Sequence, residues 1–266
     1  MPLEDRAGHP TFWQVTGHGT RPAIAIHCSL ASSGAWAGVA ERLSDRLTLT
    51  AFDLPGHGKS GDWRGEGDFL DLATRIAASF VETPVDLLGH SFGAVTALNL
   101  AIAAPEAIRT LTLIEPVLFA AARGHPEWEE HRSEMAAFDA ALSAGDAEAA
   151  AEAFTRVWGT GVDWGEMSSA SRTDITRRIR LVTAGGPALY ADSGGILVPG
   201  ALETLDMPVL LIRGDRSPAI IECIAEEIAA RLPDVGVATV PGAGHMVPIT
   251  HPGETAGLIG VNLDRG

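Results

Sequence analysis

The segment GHSFG, residues 89–93, sets a serine at the centre of a five-residue stretch with a glycine at each end. At a sharp turn from a strand into a helix, a serine in that spacing projects its hydroxyl for attack on a carbonyl carbon. The glycines spare the turn the side-chain collisions that would otherwise block it. Ser91 is therefore the candidate nucleophile, and the competing reading is a plain helix start capped by serine. Serine is a poor nucleophile at neutral pH unless a base takes its proton as the new bond forms. Of the nine histidines, His245 in PGAGHMVP is the best placed. It lies late in the chain in a glycine-rich loop, where a serine, acid, histidine order puts the base.

The elements that must position these residues follow from hydrophobic patterning. FWQV and PAIAIHC read as strands joined by a turn at GHGT. LTLTAF, PVDLLG and TLTLIE read as further strands, separated by helical patterns near 33–45, 68–80 and 92–104. GHSFG thus falls directly after one strand and directly before a helix. Repeated alternation of strand and helix implies an α/β fold with a mostly parallel sheet covered by helices on both faces. After Glu115 the rhythm changes. Residues 117–206 carry Ala-rich and charged helical patterns such as GDAEAAAEAFTRVW, and then PVLLIR, a helix, VGVATV and a last helix resume the alternation. The expected organisation is a core of residues 1–116 and 207–266 with a helical cap, 117–206, inserted between two strands as a lid.

Composition narrows the function. A chain of 266 residues with 46% hydrophobic and 20% charged residues has ordinary globular usage. Its formal charge of −15 disfavours a nucleic-acid partner, since the densest basic stretch, RTDITRRIR, is interrupted by Asp174 and reads as a solvated helix face. Cys28 and Cys223 are too few for a disulfide framework and are expected as reduced thiols. MPLEDRAGHP lacks the basic start and apolar run of a secretory signal, and no window reaches membrane-span length. The expected setting is cytoplasmic, with no membrane partner and a homodimer as the open alternative to a monomer.

Two further stretches suggest other chemistry and fall short of it. DLPGHGKS, residues 53–60, ends like a nucleotide phosphate loop, but Asp53 occupies the position of the first glycine. A carboxylate there would repel phosphate and lacks glycine's backbone freedom. HPEWEEH, residues 125–131, mixes histidine with carboxylates but lacks the helical two-histidine spacing and third ligand of a zinc site. No cofactor and no metal are expected.

Taken together, HCSLASSGAW, DLPGHGKS, GHSFGA, LTLIEP, PVLLIRGDRSP and PGAGHMVP resemble the α/β-hydrolase fold superfamily, in its lidded serine esterase and carbon–carbon hydrolase group. The resemblance covers roughly residues 10–116 and 207–264 and matches the inserted segment in position only. In that family DxPGHGxS is a structural turn at the floor of the site. The resemblance also implies a triad acid three residues beyond the glycine that follows PVLLIR, and this chain has Ser217 there. Two replacements are available. Glu115, at the end of TLTLIE where some branches of the family place their acid, is preferred, and Asp215 is the alternative. A triad is defined by geometry and not by sequence position.

The oxyanion formed at the attacked carbonyl needs donors aimed at it, and the N–H of Phe92, next to the nucleophile, is one. The resemblance aligns Ser29 with the second donor, in a loop where Cys28 replaces the family's usual glycine. A serine nucleophile argues against relatives that use aspartate to open epoxides or displace halide. The expected activity is hydrolysis of a small, fairly apolar ester, thioester or lactone through an acyl-enzyme. Acyl transfer or carbon–carbon bond hydrolysis with the same residues, and a non-catalytic binding protein on the same fold, are the alternatives. Within the cap, Trp128, Phe138, Phe154, Trp158 and Trp164 are expected chiefly to pack the lid, with a pocket wall as their second use. Arg177, Arg178 and Arg180 are the basic residues that could meet a substrate carboxylate.

Overall fold

Runs such as AIAI and VDLLG carry apolar side chains toward both faces of a strand, so they require a sheet covered on both sides. The computed structural model, which describes residues 3–266, contains that sheet. Its strands are β1 (Leu3–Arg6), β2 (His9–Thr16), β3 (Arg21–Ile26), β4 (Leu47–Phe52), β5 (Val85–His90), β6 (Ile108–Ile114), β7 (Val209–Gly214) and β8 (Val235–Val240). They lie in the order β1-β2-β4-β3-β5-β6-β7-β8. β1 and β2 pair antiparallel, as do β2 and β4, and every pairing from β4 through β8 is parallel.

Successive residues of one strand serve opposite cores. On β5, Leu87 belongs to the cluster that includes Ile76 and Leu98, and Leu88 to the cluster that includes Val39 and Ile259. The first face is covered by α2 (Phe69–Ala78), α3 (Phe92–Ala103) and α10 (Ala219–Ala229). The second is covered by α1 (Ala37–Arg42) and α12 (Pro252–Leu263), with the single turn α11 (Val247–Thr250) leading into α12. Between β6 and β7 come α4 (Pro126–Glu134), α5 (Ala136–Ser143), α6 (Ala147–Trp158), α7 (Ser169–Arg178), α8 (Arg180–Ala184) and α9 (Gly186–Ala191), and no strand among the described residues. The Ala-rich α6 starts at Asp146, whose side chain accepts the Ala149 N–H at 3.0 Å. That cap satisfies one of the free donors of the first turn.

Two features lie outside the sequence reading. LEDR forms an extra edge strand, β1, whose charged residues carry no apolar signal. FWQV does not pair with the strand that follows it: β2 lies beside β4, and β3 sits between β4 and β5. The strand order therefore reverses around β3, which makes the C-terminal ends of β3 and β5 the switch point where ligands bind in open α/β sheets.

The stretch DLPGHGKS follows β4 as a tied turn. Asp53 is buried, its Oδ1 accepting the Ser33 N–H at 2.6 Å and its Oδ2 the Lys59 N–H at 2.8 Å. Gly58 has a φ of 52°, and a Cβ there would lie 1.9 Å from Asp53 Oδ2. Lys59 Nζ sits over the ring of Phe12, 4.7 Å from its centroid. The residues that imitate a phosphate loop are thus engaged within the turn. Asp53→Ala removes the acceptor of the buried Ser33 N–H and of the part-buried Lys59 N–H, which costs about 2 to 3 kcal/mol. A melting-temperature drop of roughly 5 to 10 °C is expected by thermal denaturation, and addition of ATP should leave the wild-type melting temperature unchanged.

Candidate active site

Each residue of interest stands just beyond the C-terminal end of a strand. Ser91 follows β5, Glu115 follows β6, His245 lies in the loop after β8, and Ser29 lies in the loop after β3. Ser91 adopts φ 57° and ψ −118°, a conformation that non-glycine residues rarely hold and that costs of order 1 to 3 kcal/mol. The surroundings enforce it. Its N–H donates to Ile114 O at 2.9 Å. A Cβ at position 89 would meet Gly93 O at 2.3 Å, and one at position 93 would meet Ile26 O at 2.2 Å. The two glycines of GHSFG are there because the turn packs backbone on backbone.

The strained turn delivers the hydroxyl to His245. Ser91 Oγ lies 2.9 Å from His245 Nε2, and His245 Nδ1 lies 2.9 Å from Glu115 Oε2. His245 is 4% exposed and Glu115 is fully buried. Such a carboxylate needs compensating donors. Its other oxygen, Oε1, accepts the Gly214 N–H at 2.6 Å and the Ser217 hydroxyl at 2.8 Å. Since the carboxylate accepts only, the Nδ1–H tautomer of His245 leaves the Nε2 lone pair facing the serine. The arrangement can therefore move a proton from Ser91 to His245 and back.

Asp215 is elsewhere. It is exposed, and its Oδ1 accepts the Gly242 N–H at 2.7 Å, which fastens the loop that carries His245 from the outside. Ser217, at the position where the resemblance expects an acid, donates to the acid on the neighbouring strand end.

At the other end of the array, the N–H groups of Phe92 and Ser29 have no hydrogen-bond acceptor among the described residues. Phe92 opens α3, so its N–H lies at the positive end of the helix dipole. The loop that carries Ser29 is held from below by His27. That ring donates from Nδ1 to Cys28 O at 2.7 Å and accepts the Leu54 N–H at Nε2 at 2.9 Å. Leu30 takes a φ of 65° as the chain turns past the site.

These groups open into a cavity of about 250 Å³ whose lining includes Ser29, Ser91 and His245. Its walls come largely from the inserted helices and are mostly apolar. Phe138, Phe154 and Trp158 face it, while Trp128 and Trp164 do not line it, so the inserted aromatics divide between wall and packing. Trp158 also packs edge-on against His245, with ring centroids 4.6 Å apart. Arg177 and Arg178 are engaged with Asp174, and Arg180 with Trp63 O. The arginine that lines the cavity is Arg132, together with Asp139, Thr183 and Tyr190.

Buried histidines surround the array. His90 Nε2 donates to the backbone carbonyl of His245 at 2.8 Å and so holds the His245 loop against the Ser91 turn. Burial pushes His27 down to about 4, His57 to about 3 and His90 to about 3, from an ordinary value of 6.5. Each is neutral in the folded chain, whereas in the unfolded chain it takes up a proton below about 6.5. The stability they contribute is therefore complete above about pH 6.5 and is lost as pH falls from there toward 4 and 3. The melting temperature should decline across that window. His131, also buried, is pushed down to about 4, so calorimetric unfolding near pH 5.5 should take up about four protons, one for each of these four histidines. A flat profile with no uptake would contradict their burial in neutral form.

The Alpha/beta hydrolase family matches residues 23–258. The chain belongs to that family. This alpha/beta hydrolase is similar to a pimeloyl-[acyl-carrier protein] methyl ester esterase of Yersinia pseudotuberculosis serotype O:1b, at 25% identity over 93% of this chain and 95% of that protein. In fold it is similar to the bromoperoxidase from Bacillus anthracis, with a TM-score of 0.78 and 20% identity over 96% of each chain. It is likewise similar to the enol-lactonase from Burkholderia xenovorans LB400, with a TM-score of 0.72 and 19% identity over 99% of this chain and 100% of that one. The protein is a hydrolase of the esterase type, and no helix among its described residues is long and apolar enough to cross a membrane.

Sequence reasoning missed His90, Arg132 and Tyr190 in this alpha/beta hydrolase. His90 was legible in principle, since a histidine inside a buried strand end needs a partner for its ring nitrogens. Arg132 and Tyr190 reach the cavity only through the packing of the inserted helices, for which the chain carries no periodic signal.

Proposed function

We propose that the protein is a serine esterase that cleaves a small, fairly apolar carboxylic ester, thioester or lactone through an acyl-enzyme on Ser91. The observation that carries this reading is the unbroken run from Ser91 Oγ through His245 to Glu115, both contacts 2.9 Å, opening on a mostly apolar cavity. Ser91 attacks the acyl carbon as His245 Nε2 takes its proton. The oxyanion is met by the N–H groups of Phe92 and Ser29, which have no acceptor among the described residues. His245 then hands the proton to the leaving alcohol or thiol. Glu115 keeps the imidazole in the productive tautomer and stabilises its charged form. In the second half water replaces the alcohol and the proton path runs again. The inserted helices, residues 117–206, act as the cap that excludes bulk water and shapes the acyl pocket.

A cavity of about 250 Å³ is smaller than the roughly 300 to 1,000 Å³ of sites for drug-sized ligands. Short to medium acyl groups are therefore favoured. Across p-nitrophenyl esters, kcat/KM should rise from acetate to a medium-chain maximum and fall sharply for long chains, and a fluorophosphonate should label wild type and not Ser91→Ala. Absence of both hydrolysis and labelling across esters, thioesters and lactones would overturn the reading in favour of a binding protein.

A further inference from the structure

HPEWEEH offers too few ligands for a metal when read as a linear segment, but the fold adds donors from a distant helix. A ring nitrogen of His125, a carboxylate oxygen of Glu127 and Sγ of Cys223 lie within 4.8 Å of one another. His125 Nε2 also stands 3.2 Å from Glu227 Oε1. His125 caps the N-terminus of α4 and Glu127 belongs to its first turn, while Cys223 and Glu227 are four residues apart on α10 and share one of its faces. Three donors therefore converge from the first helix of the insertion and from a helix of the core, and Glu227 stands beside them, paired with His125.

The chemistry of the set is selective. One thiol, one imidazole and two carboxylates suit a borderline, four-coordinate cation. Bonds of roughly 2.0 to 2.3 Å place neighbouring ligand atoms of a tetrahedral zinc about 3.3 to 3.8 Å apart. The three donors, within 4.8 Å of one another, have about 1 Å to close, and the exposed His125 ring and the half-buried Glu127 side chain are free to move toward the buried Cys223. Charge favours the same occupant. The carboxylates of Glu127 and Glu227 gather beside His125. A divalent cation would offset that crowding of negative charge.

We propose that His125, Glu127 and Cys223, with Glu227 turning from His125 to complete the set, form a zinc-class cation site that ties the start of the inserted helices to α10. Cys223 binds as the thiolate, its proton passing to solvent. The turn at Phe119–Ala122 lies just upstream and packs on α10, and Phe119 lines the cavity, so an occupied site steadies one wall of the pocket.

The test is titration of the purified full chain with cobalt(II), followed by optical absorption. The expected result is one cobalt per chain with a thiolate-to-cobalt charge-transfer band in the near ultraviolet, displaced by zinc. The band should vanish in Cys223→Ser, and cobalt affinity should fall at least about tenfold in His125→Ala and Glu127→Gln. Fluorophosphonate labelling of Ser91 serves as the folding control. The two α4 variants alter only non-core positions, so they decide the matter even where Cys223→Ser is unstable. Absence of the band at stoichiometric cobalt, or a band and affinity unchanged in both α4 variants, would overturn the site.

Discussion

Ser91→Ala is expected to lower kcat on the best ester substrate by about 100,000-fold or more, with KM little changed. The expectation rests on chemistry and not on binding. Alanine removes the atom that attacks, and no other hydroxyl is hydrogen-bonded to His245 Nε2 among the described residues. The cavity walls and the two free N–H groups remain, so residual water attack on the bound ester sets the floor. The variant keeps the Cβ and the backbone path of the turn, so its melting temperature should stay within about 2 °C of wild type. Steady-state kinetics with thermal denaturation as the control checks both halves. A loss of only tenfold would move the nucleophile elsewhere.

The second large effect separates two carboxylates. Glu115→Gln should lower kcat by about 1,000- to 10,000-fold, whereas Asp215→Asn should change it by no more than about two- to threefold. The physical reason lies in donor counting. Glu115 receives the Gly214 N–H and the Ser217 hydroxyl on one oxygen and His245 Nδ1–H on the other. The backbone N–H of Gly214 cannot become an acceptor, so a glutamine must keep its carbonyl oxygen there. Its amide group then faces His245 Nδ1 and donates to it. The imidazole is forced into the opposite tautomer, with a proton on Nε2 where the lone pair for Ser91 should be. Asparagine at 215, by contrast, can still accept the Gly242 N–H through its carbonyl oxygen. Parallel kinetics on the two variants, with folding verified, gives the ranking. The reverse order would assign the acid to Asp215.

What could be read directly from the chain is what depends on local order. GHSFG declares its turn because strand, glycines and helix are contiguous, and the collisions that fix Gly89 and Gly93 follow from that contiguity. His245 is legible from its place after the last strand. The acid is not, because the choice between positions 115 and 215 depends on which neighbouring strand end faces the histidine. Only the β6 to β7 pairing decides that. Ser217 illustrates the point: as a letter it marks a missing acid, and in space it is a hydrogen-bond donor to the acid one strand away.

The fold shows the same division. Apolar runs such as VDLLG announce buried strands, whereas LEDR lies at the sheet edge with Glu4 and Asp5 in solvent and Arg6 half-buried over Phe80, and gives no such signal. The antiparallel pairing of β2 with β4 is a contact across more than thirty residues, open to β2 because β4 crosses over to the outer side of β3, and not set by the turn that follows FWQV. Arg132 and Tyr190 are the least legible of all. Their place at the cavity depends on how amphipathic helices settle against one another, and His131 helps fix it by bonding Tyr190 Oη at 2.8 Å from within a stack of aromatic rings.

The central claim is that an acyl group passes through Ser91. Intact-protein mass spectrometry of a reaction quenched in acid within the first turnovers of a slowly deacylated ester tests it most directly. The expected result is a mass gain equal to the acyl group, located by peptide mapping to Ser91 and lost on longer incubation. Product release with no adduct on the protein at any time, or an adduct on a different residue, would contradict it.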